Sequence, residues 1–274
     1  MKFKDLDFPG ILHQRFANTD DHYFEPIRER VEKVWAKAPP AMRERFISLS
    51  GTNFTSYRGL IFELYVLEQL SQTGYKIDYE FQNLSNSTFI DFLVHAESGR
   101  YLVEATSIGP NEEALLKPEF EIDPKGVLAI RKALKSKLEK VQGEFGIPVV
   151  LALCNSNPTF VDKSYSYVQA LYGHLEIQLE IKTGNSKWNF SDQGFWISEV
   201  ERAQNYSAIY FASGGYPGFS SYSKNRMWMN PMARNDFSIL EWPEDIDFIK
   251  SSERLWHTNR SLQFEWRELP SFMF

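Results

Sequence analysis

Residues 90–106 read IDFLVHAESGRYLVEAT, and this stretch decides the predicted fold. Two apolar runs, Phe89 to His95 and Tyr101 to Thr106, flank the short segment AESG at positions 96–99. Strand-length apolar runs on either side of a turn that contains glycine are typical of a β-hairpin. The stretch therefore predicts two adjacent antiparallel strands.

The length of the loop predicts the register of this hairpin. With a four-residue loop, His95 pairs with Arg100, and counting outward places Asp91 opposite Glu104. Opposed residues of antiparallel strands share a face of the sheet, with Cβ atoms about 4.5–5.5 Å apart. Two carboxylates at that distance repel each other unless a cation lies between them. The pair indicates either a cation site or a solvated, half-exposed sheet face.

Alternation along the two strands assigns the remaining side chains to faces. Leu93 and Leu102 share the face of the two carboxylates, and the opposite face is entirely apolar. That apolar face comprises Ile90, Phe92, Val94, Tyr101, Val103 and Ala105.

The flanking sequence predicts an α/β core. Helical periodicity and breaker residues predict helices before and after the hairpin, and period-2 alternation predicts a further strand before it. A helix between two strands of one sheet implies a parallel crossover. The predicted elements are helical residues 22–47 interrupted at Pro39-Pro40, helix Ser56 to Gln72 closed by Gly74, strand Tyr75 to Phe81, helix Val127 to Phe145, strand Pro148 to Cys154, helix Tyr165 to Glu176 and strand Ser207 to Ala212.

Glu63 is out of place on the helix that precedes the sheet. At 100° per residue, Arg58, Glu68 and Gln69 group on one side of this helix, whereas Glu63 projects into the apolar arc. A lone buried carboxylate is too costly, so Glu63 must be paired, metal-linked or protonated. One alternative is a buried salt bridge to an arginine of the N-terminal helices.

The helix predicted at 127–145 carries cations beside its apolar stripe. Lys137 projects only about 20° from Ile130, at the edge of the stripe, and so reaches toward the sheet face that carries the carboxylates. Arg131 flanks the opposite edge equally well, so the choice between the two is open. A lysine whose stem merely covers apolar surface is the alternative for Lys137.

These groups suit phosphodiester chemistry. Magnesium takes oxygen ligands and keeps several waters, so two carboxylates, Asp91 and Glu104, and a backbone carbonyl at Ala105 would hold it. Such an ion polarises a phosphate, and a nearby ammonium orients water and offsets transition-state charge. Mg²⁺, or Mn²⁺ in its place, is the expected cofactor.

The hairpin resembles the motif of the PD-(D/E)xK nuclease superfamily. In that family an Asp precedes an apolar strand and a (D/E)-x-K tripeptide lies on the next, which corresponds here to Asp91 and Glu104-Ala105-Thr106. The resemblance covers roughly Tyr57 to Asn155, and Glu63 corresponds to the acidic residue that the family's first helix often supplies. Thr106 departs from the motif lysine, and Lys137 is the candidate replacement.

The resemblance implies a restriction-endonuclease-like α/β fold, with a mixed sheet flanked by helices. We expect an N-terminal helical segment (1–55), a nuclease core (56–160) and a C-terminal α+β extension (161–274). The implied activity is Mg²⁺-dependent hydrolysis of nucleic acid, with DNA favoured over RNA and a role in bacterial defence or DNA processing. The implied catalytic residues are Glu63, Asp91, Glu104 and Lys137.

Two non-enzymatic hypotheses compete with this one. Thr106 and the net charge of −6 favour a catalytically inactive nuclease-fold module that binds nucleic acid or a partner protein. Aromatic residues between Tyr222 and Trp228 would suit a structural subunit that uses them at an interface. Metal dependence separates the enzyme from both.

Composition limits the setting of the protein. With Cys154 as the one cysteine, a disulfide framework and cysteine-based zinc sites are excluded. The N-terminal MKFKDLDFPG lacks the apolar run of a signal peptide, and no stretch is long and apolar enough to span a membrane. We expect a cytoplasmic protein, with a homodimer as the default assembly for cutting two strands.

Overall fold

The computed structural model describes most of the predicted core and parts of the C-terminal third. The described residues are 25–49, 54–83, 88–108, 126–140, 145–155, 164–173, 175–179, 182, 186–190, 194–212, 225–230, 232–237, 242 and 247–249.

Helices and strands alternate through this part of the chain. The helices are α1 (Glu25–Trp35), α2 (Pro40–Leu49), α3 (Phe54–Ser71), α4 (Gly126–Lys140), α5 (Ser164–Tyr172), α6 (Phe195–Ser198) and α7 (Val200–Ala203). The strands are β1 (Lys76–Asn83), β2 (Thr88–His95), β3 (Arg100–Ile108), β4 (Val149–Asn155), β5 (Leu175–Leu179), β6 (Ser186–Phe190), β7 (Ala208–Ala212), β8 (Arg226–Met229) and β9 (Asp247–Ile249).

The main sheet is mixed and contains seven described strands in the order β1-β2-β3-β4-β7-β8-β9. The pairs β1–β2, β2–β3 and β7–β8 are antiparallel, whereas β3–β4, β4–β7 and β8–β9 are parallel. Helix α4 connects the parallel strands β3 and β4, which confirms the predicted crossover. Strands from the C-terminal segment thus complete the sheet that the hairpin begins, while β5 and β6 form a separate antiparallel pair.

Helices cover both faces of the sheet, and this confirms a mixed α/β architecture. Helices α1, α2 and α3 join Phe92, Val94 and Val103 in one apolar cluster. Helices α4, α5 and α6 join Leu93 and Leu102 in a second cluster on the opposite face. Because Leu93 and Leu102 lie on the α4 face, the carboxylates predicted to share that face are covered rather than solvated.

The hairpin has the predicted register. His95 pairs with Arg100 and Phe92 with Val103, so the recorded pairs follow the predicted register as far as Phe92. The loop is closed by a hydrogen bond of 2.8 Å from the Ala96 amide to the Gly99 carbonyl.

Strand β2 departs from regular pairing at Asp91. Its pairs with β1 include Phe92–Tyr79 and Ile90–Phe81 but omit Asp91–Glu80, and Glu80 has a φ of 53°. Ile90 packs in the cluster of α4, which corrects the prediction that it shares a face with Phe92. The local distortion at Asp91 interrupts the alternation on which that prediction rested.

Helix α3 is more buried than its pattern indicates. Arg58, Glu68 and Gln69 do not form a solvated side, because all three are buried. The helix lies between α1, α2 and β3, and Lys33 of α1 contacts Glu68 at 2.7 Å. Such a central position explains why its polar residues are covered on every side.

Several C-terminal predictions are corrected by the structure. The helix predicted at 165–176 ends at Tyr172, because Gly173 takes a φ of 100° and residues from Leu175 onward form β5. The helix predicted to reach Phe145 is described to Lys140, and Phe145 lies outside it. Trp228 is buried in β8 and is not an exposed interface residue, and Tyr222 lies outside the described residues.

Within the part of the chain that the structure describes, no helix has the length and apolar character needed to cross a membrane.

Candidate active site

The two hairpin carboxylates are buried between β2, β3 and α4. Asp91 is 6% exposed and Glu104 is fully buried, at 0%. The amide of Ala105 donates a hydrogen bond of 2.7 Å to Asp91 Oδ2. This bond ties the Asp91 side chain to the backbone of the neighbouring strand, so both carboxylates are held at one point of the hairpin.

Lys137 of α4 brings a cation to this point. Its ammonium lies 2.6 Å from Glu104 Oε1 and 3.2 Å from the backbone oxygen of Ala105. The lysine side chain retains 19% of its exposure, whereas that of Glu104 is closed off from solvent. The edge position that the helical projection gives Lys137 is thus the position from which its side chain contacts the carboxylate face.

Arg131, the alternative cation on the same helix, points elsewhere. Its guanidinium donates a hydrogen bond of 2.8 Å to the backbone oxygen of Gln169 in α5. The structure brings Lys137, and not Arg131, to the hairpin carboxylates.

Glu63 reaches the same region from α3, on the other side of the sheet. Arg45 of α2 donates to Glu63 Oε2 at 3.0 Å, and the Tyr79 hydroxyl donates to the same oxygen at 3.0 Å. This is the salt bridge to an arginine of the N-terminal helices that the sequence left open as an alternative. Burial raises the pKa of Glu63, opposed by Arg45 and Tyr79, and Glu104 raises it further.

Arg45 links Glu63 to the strand distortion beside Asp91. Its guanidinium also contacts Tyr79 Oη at 2.5 Å and Glu80 Oε1 at 3.4 Å. Although burial works against its charge, Glu63, Tyr79 and Asp91 together raise the pKa of Arg45. The residue therefore stays charged at any working pH.

The sequence did not single out Arg45 or Tyr79. Arg43 and Arg45 are both polar positions of one short helix, and only the packing of that helix on α3 distinguishes them. The sequence indicated a partner for Glu63 only through the position of this carboxylate in the apolar arc of its helix.

Among the described residues, the contacts above connect four carboxylates, Glu63, Glu80, Asp91 and Glu104, with two cations, Arg45 and Lys137. Nearby cations of this kind stabilise buried carboxylates in their charged form.

The donor set suits a hard cation with a partial hydration shell. Glu104 Oε1 and the Ala105 carbonyl already converge on one cation, the Lys137 ammonium, and Asp91 adjoins them through the Ala105 amide. No group of three or more acidic, histidine or cysteine side chains with metal-binding geometry occurs among the described residues. Two carboxylates and a carbonyl match Mg²⁺, which keeps several waters, and do not match zinc.

Comparisons with known proteins assign no family. No family model matches the chain, and no curated protein matches it. Among solved structures, it is similar to SfsA from Pyrococcus furiosus in complex with Ca²⁺, at 19% sequence identity and a TM-score of 0.22. The match covers 39% of this chain and 44% of SfsA, so it spans less than half of that protein. A similarity of this size establishes neither function nor family.

Proposed function

We propose that the protein is a metal-dependent nuclease of the restriction-endonuclease-like type, which hydrolyses phosphodiester bonds in DNA in preference to RNA. The observation that carries this proposal is the contact of 2.6 Å between the Lys137 ammonium and Glu104, beside Asp91 on the paired strand. An ammonium on a carboxylate pair is the combination that phosphodiester hydrolysis needs, since the reaction requires charge compensation and an oriented water.

Lys137, Asp91 and Glu104 each have a distinct role in the proposed reaction. Lys137 orients the attacking water and offsets negative charge that develops on the phosphate oxygens. One oxygen of Asp91 is held by the Ala105 amide, which fixes the carboxylate beside Glu104-Ala105. Glu104, which is fully buried, holds the Lys137 ammonium in place.

Asp91, Glu104 and the Ala105 carbonyl are the residues that would hold Mg²⁺ or Mn²⁺. When bound, the ion supplies Lewis-acid polarisation of the scissile phosphate and lowers the pKa of water. Lys137 uses two of the same oxygens, so the lysine and the ion compete for them. Glu63 is engaged by Arg45 and Tyr79, and its proposed role is to hold the Arg45 guanidinium in place near Asp91.

The test is a cleavage assay on plasmid DNA, linear single-stranded DNA and RNA, each with Mg²⁺, Mn²⁺ or EDTA. Asp91→Asn and Glu104→Gln should each abolish cleavage while the fold is kept, because both changes preserve shape and remove only charge. Lys132→Ala, an exposed position on α4, is the matched surface control and should cleave at the wild-type rate. Equal rates in wild type and Asp91→Asn would exclude the assignment.

A catalytically inactive binding module is the second candidate, and one observation favours it. Lys137 supplies a cation to Glu104 and to the Ala105 carbonyl from a helix, while Thr106 occupies the position of the motif lysine. In that case no substrate is cut under any metal condition, and nucleic acid or a partner protein binds equally well in EDTA.

A further inference from the structure

Tyr206 reaches the candidate site from the C-terminal half of the chain. It lies in the connection between α7 and β7, and its hydroxyl donates a hydrogen bond of 2.9 Å to the backbone oxygen of Lys137. Lys137 is in the last described turn of α4. The bond therefore fixes the helix at the residue that carries the ammonium.

The ring of Tyr206 is itself fixed. The side chain is 0% exposed and belongs to the apolar cluster that contains Ile130, Leu134 and Leu138 of α4. The same ring that packs along the stripe of the helix thus carries the hydroxyl that holds its last turn.

Asn230 holds the backbone of Tyr206 in place through hydrogen bonds. Its side-chain amide donates to the backbone oxygens of Tyr206 at 2.7 Å and Ala203 at 2.9 Å, so both of its hydrogens are used. Its Oδ1 accepts the Met232 amide at 2.9 Å. A buried amide with these contacts leaves the connection little freedom.

Tyr206 also remains a donor at all working pH values. Burial, with the negative charges of Glu104 and Asp91, raises the pKa of its hydroxyl. The phenol is therefore protonated wherever the protein is folded, and its hydrogen bond does not switch off.

We infer that Tyr206 is a positioning residue for Lys137: through the Lys137 carbonyl it sets where the ammonium meets Glu104. The catalytic part of this inference rests on the proposed function, whereas the positioning itself is a property of the fold. Tyr206 does not touch the reacting atoms, and it acts through the last turn of α4.

The kinetic test is Tyr206→Phe, which removes one oxygen and leaves the packed ring. We expect kcat to fall by about 10- to 100-fold with little change in KM, since a misplaced catalytic group costs on this order. In the Lys137→Ala background the same change should have no further effect on residual cleavage. An equal loss in both backgrounds would show that Tyr206 acts independently of Lys137.

Tyr172→Phe is the matched control. Tyr172 belongs to the same apolar cluster and also donates to a backbone oxygen, that of Met229 at 3.4 Å, but on β8 rather than α4. It should lower stability without altering kcat. Replacing Tyr206 with 4-aminophenylalanine, which keeps a donor at the same position, should restore kcat, and failure to restore it would contradict the inference.

A second measurement does not require cleavage. The coupling free energy between Lys137 and Glu104 is obtained from the unfolding of Lys137→Met, Glu104→Gln and the double variant, and then again with Tyr206→Phe present. We expect the coupling to shrink when the hydroxyl is absent. An unchanged coupling overturns the positioning role, and a reduced coupling in a protein that cuts no substrate overturns only the nuclease proposal.

Discussion

Lys137 is the residue on which the proposed chemistry depends most. Its ammonium contacts one carboxylate oxygen and one backbone oxygen, and both belong to the strand that carries Glu104. Charge-assisted bonds of this kind are strong in a buried setting because water does not screen them. Lys137 is therefore expected to affect both catalysis and cation binding, and the two effects can be measured separately.

Lys137→Ala should lose cleavage by about 100-fold or more, since a positioned charge that stabilises the transition state is removed. Its affinity for Mg²⁺ should rise by up to about tenfold, because a competing cation leaves Glu104 and the Ala105 carbonyl. Nucleic-acid binding should change little. Rate measurements, calorimetric metal titration and a filter-binding assay check the three expectations.

Lys132→Ala is the control for these measurements, because Lys132 is exposed on the same helix. It should leave rate and metal affinity unchanged and weaken nucleic-acid binding only slightly, in a salt-dependent way. If both lysine variants cleave alike, Lys137 has no catalytic role.

Arg45→Gln should destabilise the protein more at high pH than at low pH. The pKa of Glu63 is raised in the folded protein, so its favourable contribution is present below its unfolded pKa of about 4.3 and is lost as pH rises through the folded value. Removing Arg45 raises the pKa of Glu63 further and leaves a buried carboxylate without its cation.

We expect the loss from Arg45→Gln to be about 1–3 kcal/mol near pH 8, between the values for exposed and buried pairs, and smaller near pH 4. Denaturant unfolding at the two pH values measures it. A loss that is independent of pH would mean that Arg45 stabilises the fold through packing rather than through the charge of Glu63.

The residues of the site were predictable to the extent that they follow a local period. Asp91 and Glu104 emerge from the two-residue period of a hairpin, and Lys137 emerges from the helical projection of α4. Arg45 and Tyr206 contact the site through helix packing and a distant connection, and no local period encodes such contacts. For Glu63 the sequence showed that a partner was needed but not which one.

At the scale of elements, helix α3 supports the candidate site from one face of the sheet. It carries Glu63, packs on β3, and ends before Gly74, whose φ is 76°. A residue with a side chain is strained in that conformation, so Gly74 is needed to stop the helix and turn the chain into β1.

Two glycine substitutions, one inside α3 and one in the turn after it, should act in opposite directions. Gly74→Ala should destabilise the protein by about 1 kcal/mol, because alanine is strained at positive φ. Gly59→Ala, inside the helix and with no atom within 4 Å of an added Cβ, should stabilise it by up to about 1 kcal/mol. Thermal melts of the two variants and wild type test the pair, and a stabilising Gly74→Ala would contradict the assigned turn.

Elements with local patterns were predicted, and those held by long-range pairing were not. The hairpin, α3 and the crossover helix α4 follow from strong periods and breaker residues. Strands β5, β6, β8 and β9 have only three to five residues each, too few for a clear two-residue period. In short strands the surroundings decide the conformation more than the intrinsic preference of the residues does.

At the scale of the whole molecule, the site is built by segments that are far apart in sequence. Helices α2 and α3, the hairpin, helix α4 and the connection before β7 each supply one contact. The division into segments 1–55, 56–160 and 161–274 stays a prediction, but the main sheet contains strands from the last two. Cation binding at Asp91 and Glu104 should therefore stabilise the molecule as a unit.

The net charge of −6 also bears on cation binding at Asp91 and Glu104. An acidic protein gains nothing from its overall field when it approaches DNA, so the proposed nuclease would need a cation at the carboxylates to accept a phosphate there.

Divalent metal should therefore raise the melting temperature of the wild-type chain. A ligand at about 100 times its Kd stabilises the folded state by about 2.7 kcal/mol, which corresponds to about 5–10 °C for a chain of this size. Asp91→Asn and Glu104→Gln should remove this shift, because each takes away one anionic ligand, whereas Lys132→Ala should retain it. Mg²⁺, Mn²⁺ and Ca²⁺ are titrated separately in a thermal-shift assay at constant ionic strength, which keeps general screening equal among samples. If the wild type and Asp91→Asn melt alike at every metal concentration, the carboxylates do not bind the ion, and the inactive-module candidate accounts better for the ion pair between Lys137 and Glu104.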